Sequence, residues 1–142
     1  MPKITSYRDL IVWQKAMDLA ALVYRITDTF PRSEQFGLVQ QMRDATVLVP
    51  ANIAEGTRHR TPGYISRVEI ALGEHAELET EMLLSDRIGY VRADDIVAFN
   101  ALATQVGELA HGLLRSLEAR MNVTRDAADR LRRKSQGQNP KP

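Results

Sequence analysis

The sequence predicts an all-α protein, an antiparallel up-down four-helix bundle that assembles as an oligomer. Three observations carry that expectation. Apolar residues recur at spacings of three and four through four long windows, none of which shows strand-like alternation. Caps, prolines and glycines fall between the windows, where helices start and stop. At about 1.5 Å of rise per residue the windows give helices of about 35 to 45 Å, matched in length as antiparallel neighbours.

The first helix is expected from Ser6, its N-cap, to about Asp28, with Asp9 completing an approximate capping box and Pro31 as the stop. It carries two apolar stripes. Leu10, Trp13, Met17, Ala20 and Tyr24 form one, while Val12, Ala16, Leu19, Val23 and Ile26 form a second on an adjacent face. So broad an arc exceeds what one small core absorbs, and the second stripe is expected to be an interface with another subunit.

The second helix is expected after Ser33 and runs to about Arg58. Leu38, Met42, Ala45, Val49, Ile53 and Gly56 give it one apolar face. Pro50 lies inside that pattern, where it removes an amide donor and presses its ring on the carbonyl of Thr46, at about 3 kcal/mol in an ordinary helix interior. A kink is therefore expected at Pro50. Asn52 or Gln41 would give the freed Thr46 carbonyl a donor, and Glu55 would pair with an arginine such as Arg43. Gly56 permits close backbone approach, and Arg58, His59 and Arg60 after it suit the negative end of the helix dipole.

Thr61-Pro62 opens the third helix, with Thr61 as cap, and Gly89 closes it. Its apolar stripe is read as Ile65, Val68, Leu72, His75 or Ala76, Glu79, Met82 and Asp86, with Tyr64, Ala71 and Leu78 as its flank. The fourth helix is expected from about Ala93 to Asn122, with Ile96, Phe99, Ala103, Val106, Ala110, Leu113, Leu117 and Met121 in near heptad register. Residues 1–122 thus make the bundle domain, and 123–142 make a basic tail, helical to about Arg133 and of disordered composition from Ser135.

Pro50-Ala51-Asn52-Ile53-Ala54-Glu55-Gly56, preceded by Gln41 and Arg43 and followed by Arg58, resembles the signature of the 23S rRNA intervening-sequence proteins. Leu10-Ile11-Val12-Trp13-Gln14-Lys15-Ala16, Tyr24, Phe30-Pro31, Phe36-Gly37-Leu38, and Ala71 with Gly73 and Glu77-Leu78-Glu79-Thr80 extend the resemblance over roughly residues 7–120. It implies an up-down four-helix bundle, commonly a ring-like homopentamer. The same family includes accessory proteins of diversity-generating retroelements, so it also implies nucleic acid and a reverse transcriptase as partners.

With 142 residues the chain has the length of one domain, and without cysteine it has neither disulfides nor thiolate chemistry. No signal peptide or membrane span is legible, so a cytoplasmic protein with no membrane partner is expected. Charge is uneven. From Val123 onward six basic residues face two acidic ones, giving +4 and leaving −3 on the rest of a chain whose total is +1.

Nothing in the sequence proposes a reaction: there is no nucleophile elbow, P-loop or H-E-x-x-H. Glu108-x-x-His111 has the spacing of half a dimetal site, but no second copy exists and Glu108 should face out. His75 and Glu79 share a helix face, an arrangement more often structural than metal-binding. No catalytic residue, metal or cofactor is therefore expected. The expected function is a non-enzymatic adaptor that binds RNA or DNA through Arg58, Arg60, Arg130, Arg132, Arg133 and Lys134, with Gln41, Arg43, Pro50, Asn52, Glu55 and Gly56 as its framework. The alternative is a protein-interaction scaffold.

Overall fold

The computed structural model describes residues 5–137. After a short 3-10 turn, Tyr7–Asp9, come α1 (Ile11–Thr27), a second 3-10 turn (Arg32–Glu34), α2 (Leu38–Gly56), α3 (Thr61–Arg87) and α4 (Ala93–Ser135). The described residues contain no strand. Each helix packs on the next in sequence, and α4 returns to α1 to close the bundle. The antiparallel register of α2 and α3 shows in their pairings: Ser85 donates to the Met42 sulfur at one end, while Arg67 meets Glu55 at the other.

The local signals mostly act where they were expected. Ser6 and Asp9 do form the capping box, but it closes the 3-10 turn, and α1 begins only after Leu10. A second 3-10 turn likewise takes the segment after Pro31, and the Glu34 carboxylate accepts from the amide of Leu38 as α2 starts. Pro62 sits in the first turn of α3, which starts at Thr61 with Arg60 as N-cap. Gly89, at φ +88°, takes the left-handed conformation that ends α3 and turns the chain into α4.

The core is built from inward faces of all four helices. Val12, Ala16, Leu19, Val23 and Ile26 pack with Met42, Val49, Ile53, Leu78, Met82, Phe99 and Val106. This corrects the sequence reading of α1: the stripe expected at a subunit interface is the chain's own core, each member at most 5% exposed. The outward stripe is the one with Met17 and Tyr24, 44% and 41% exposed. Compact aliphatic groups and Ala16 let neighbouring helices approach, whereas Trp13 and Tyr24 carry a polar edge that suits a half-wet position.

On α3 the buried residues are Val68, Ala71, His75, Leu78, Glu81, Met82 and Ser85, so the face is rotated from the expected stripe and Glu79 and Asp86 lie off its centre. Ser85 lies on that face with its hydroxyl donating to the Glu81 carbonyl and to the Met42 sulfur of α2. α4 runs without interruption to Ser135, yet no buried side chain follows Leu117. Its last turns stand beyond the bundle as an arm. The tail expectation for 138–142, including Lys141, lies outside the described residues. No helix among the described residues is long and apolar enough to cross a membrane.

Candidate nucleic-acid interface

The framework residues of α2 bind its flanks to its neighbours. Arg43 reaches the end of α1, donating from Nε to Thr27 Oγ1 at 3.0 Å and from Nη2 to the Tyr24 carbonyl at 3.3 Å and Asp28 Oδ1 at 2.9 Å. Its guanidinium also stacks 4.5 Å from the Tyr24 ring centroid. Glu55 therefore does not pair with Arg43; its partner is Arg67 of α3, 3.1 Å away. Asn52 does not relieve Thr46 either. Its Nδ2 donates to the Leu48 carbonyl at 2.8 Å, and its Oδ1 accepts from Arg67 at 3.4 Å. Pro50 lies buried within α2, which is helical throughout Leu38–Gly56, and Gln41 is exposed.

At the far end of α2 a cleft of about 680 Å³ opens where the α2–α3 junction meets α4 and the segment before α1. That segment supplies Ser6, Tyr7 and Leu10; α4 supplies Leu113, Ser116, Leu117 and Arg120; Thr57 and Arg58 follow α2, and Tyr64 comes from the first turn of α3. Two arginines thus share a cleft with two phenols and a set of hydroxyl side chains. Among the described residues neither Arg58 nor Arg120 makes an ion pair. Burial pushes the Tyr64 hydroxyl above its ordinary pKa, and the charge of Arg120 pulls it part of the way back.

Arg60 lies two residues beyond Arg58, exposed at the N-cap of α3. Arg130, Arg132, Arg133 and Lys134 lie on the exposed arm, which continues directly from Arg120. At 1.5 Å per residue Arg130 stands about 15 Å along the axis from Arg120. The structure therefore puts Arg58, Arg60 and the arm at one end of the bundle. It does not gather them in one pocket: only Arg58 of the six expected residues lines the cleft.

The model of the family described as 23S rRNA-intervening sequence protein matches residues 8–112. The chain belongs to that family. A crystal structure of a protein of unknown function from the S23 ribosomal protein family of Bacteroides thetaiotaomicron superposes with a TM-score of 0.66 at 21% identity, covering 73% of this chain and 98% of that one. That likeness shows a shared fold. No curated protein matches the chain.

In this intervening-sequence protein the matched segment stops before the arm, so the arm's arginines lie outside what the family model covers. Sequence reasoning missed Arg120 and Tyr64, although Arg120 falls three residues after core Leu117 and so had to stand over the open end of the core. It also missed Glu81, buried at 8% exposure between Leu78 and Ser85 with Oε2 unpartnered. Burial pushes the Glu81 carboxyl up to about 7, aided by a hydrogen bond with Glu77 and by the charges of Glu77, Glu74 and Asp44.

The histidines fall out as structural or peripheral. His75 Nε2 donates to the Ala103 carbonyl at 2.9 Å and lies 3.3 Å from Glu79 Oε1, tying α3 to α4. Glu108 and His111 are exposed on α4. No group of three or more His, Cys, Asp or Glu side chains among the described residues is placed to hold a metal ion.

Proposed function

We propose that this intervening-sequence protein is a non-enzymatic, homo-oligomeric adaptor that binds nucleic acid at the end of the bundle from which the arm emerges. One observation carries the reading: among the described residues Arg58, Arg60, Arg120, Arg130, Arg133 and Lys134 make no ion pair, although all stand at that end. Arg132 has only a 3.8 Å approach to the half-exposed Asp129. Guanidinium groups without a carboxylate partner are available to phosphate, which they grip with paired donors. The acidic remainder of the chain confines this interaction to one end.

Self-assembly, as a pentamer in the reading from family resemblance, is supported by apolar side chains left in water. Leu83 and Leu84 are exposed on α3 and Ile88 just past its end, and Val123 and Leu131 are 70% and 67% exposed on the arm. Copies in a ring would repeat a weak basic site and raise affinity through multivalency. Labelled RNA and DNA titrated at rising salt test the reading, alongside absolute molar mass by light scattering. Binding that weakens with salt, and falls in the Arg58→Ala/Arg60→Ala pair and in a chain ending at 124, supports it. No binding to either polymer at low salt, or a monomer at micromolar concentration, overturns the corresponding half.

The exposed Leu83, Leu84 and Ile88 also favour a second reading, a scaffold that holds another protein. Recovery of a stoichiometric protein partner after nuclease treatment, without nucleic-acid binding, would select it.

A further inference from the structure

We propose that the cleft at the arm end is a subsite for one unpaired nucleotide of a single strand, with Arg58 and Arg120 on its phosphate and the rings of Tyr7 and Tyr64 against its base. The inference deepens the nucleic-acid reading and rests on it. Its starting point is the chemistry of the walls. The floor is apolar, from Leu113 and the fully buried Leu117, and no acidic side chain lines the cleft. Over that floor stand two positive charges with no carboxylate partner among the described residues.

A ligand that satisfies such walls has an anionic group beside a flat apolar ring. Inorganic phosphate alone would leave the floor wet, and an apolar molecule alone would leave both guanidinium groups unused. A nucleotide uses both, since base stacking on aromatic side chains is sequence-tolerant and arginine supplies paired donors to phosphate. The volume of about 680 Å³ falls within the range of about 300 to 1,000 Å³ usual for small-ligand sites.

The surroundings select a strand over a duplex. A paired base is stacked between its neighbours and cannot enter a cleft set between α3, α4 and the segment before α1, whereas an unpaired one can be splayed into it. The phosphates on either side of the seated nucleotide then meet Arg60 and the arm that continues from Arg120. The cleft adds preference for unpaired bases to what would otherwise be charge attraction alone.

A reporter is built in. The sole tryptophan, Trp13, lies 5.3 Å from the ring of Tyr7, so its emission follows occupancy of the cleft. The experiment titrates the full chain with adenosine monophosphate, uridine monophosphate and inorganic phosphate by Trp13 fluorescence. In parallel, a single-stranded oligonucleotide and a blunt duplex of equal length are compared by anisotropy. Two exposed positions are varied, Arg120→Ala to remove a phosphate donor and Ser116→Trp to fill the mouth.

The expected result is a Trp13 response to both nucleotides and not to phosphate, with tighter binding of the single strand than of the duplex. Arg120→Ala weakens the single strand about tenfold, the size of one charge-assisted hydrogen bond, and the duplex far less. Ser116→Trp abolishes the difference. If strand and duplex bind alike and both variants leave binding unchanged while Arg58→Ala/Arg60→Ala lowers it, the cleft inference is overturned and the general reading stands. If no polymer binds but nucleotides still move Trp13 emission, both the strand as the source and the adaptor reading are overturned. A phosphate response equal to that of the nucleotides overturns the role of the rings.

Discussion

Gly56 and Tyr64 meet where α2 gives way to α3, so closely that a Cβ on the glycine would stand 2.7 Å from Tyr64 Cδ1 and 3.3 Å from Arg67 Cβ. The nearest atoms belong to a rigid ring and to Arg67 Cβ rather than to the end of a flexible chain, so the added methyl group displaces Tyr64 toward the cleft it lines. Replacing glycine by alanine gains at most about 1 kcal/mol of helix propensity, while overpacking costs about 1 to 3. The clash outweighs the gain. Gly56→Ala should therefore lower Tm by a few degrees in a circular-dichroism melt, and its displaced Tyr64 should weaken any ligand held in the cleft.

Arg43 is a second junction, and its energetics are separable. Asp28 is 77% exposed, so the ion pair itself contributes little, whereas the donors to Thr27 and to the Tyr24 carbonyl close the end of α1. Asp28→Ala should cost less than about 0.5 kcal/mol by that argument. Arg43→Lys keeps the charge but loses the planar fork and the stacking on Tyr24, and should cost about 1 kcal/mol or more. Equal losses from the two substitutions in urea unfolding would contradict this division.

Much of this was legible in the sequence because helix periodicity and stop signals are local. Pro62 and Gly89 act within a few residues and bound α3 as expected, and Pro31 follows the end of α1, but Ser6 caps the 3-10 turn rather than α1. Which of two apolar stripes on α1 faces inward is not local. It depends on the neighbours that meet Ala16 and Val23, and the bulkier stripe with Trp13 and Tyr24 misled. The partners of Glu55 and Asn52 were missed for the same reason: Arg67 is brought to them by the antiparallel return of α3. Arg58 was legible as a basic residue past a glycine, but its place in one cleft with Arg120 required the return of α4 to α1.

Glu81 gives the fold a pH dependence of definite sign. Its carboxyl holds its proton up to about 7 in the folded chain, against an ordinary value of 4.5. The unfolded chain thus releases its proton first as pH rises, and stability falls between about 4.5 and 7 and then levels off. Glu81→Gln removes this loss. At pH 8 the variant should be more stable by about 1 kcal/mol, with the charges of Glu74, Glu77 and Asp44 partly screened by water, and at pH 4.5 the two should melt together. A constant difference across pH would mean that packing, not protonation, sets the effect.

The arm separates binding from folding, because no buried side chain of α4 lies beyond Leu117. Replacing Arg130, Arg132, Arg133 and Lys134 together by glutamine should leave the melting temperature of the bundle within about 2 °C, as surface changes away from packing usually do. Its effect on nucleic acid should be large and of a particular form. Each phosphate that is no longer neutralised flattens the dependence of log K on log salt by about 0.9 for a duplex, so the four substitutions remove at most about 3.6 from the slope. Arg58→Ala with Arg60→Ala should flatten it further, since those two stand on the bundle itself rather than on the arm. A quadruple variant with unchanged slope would place the phosphate-binding groups elsewhere, and one that melts much lower would show that the arm packs against something the isolated bundle does not contain.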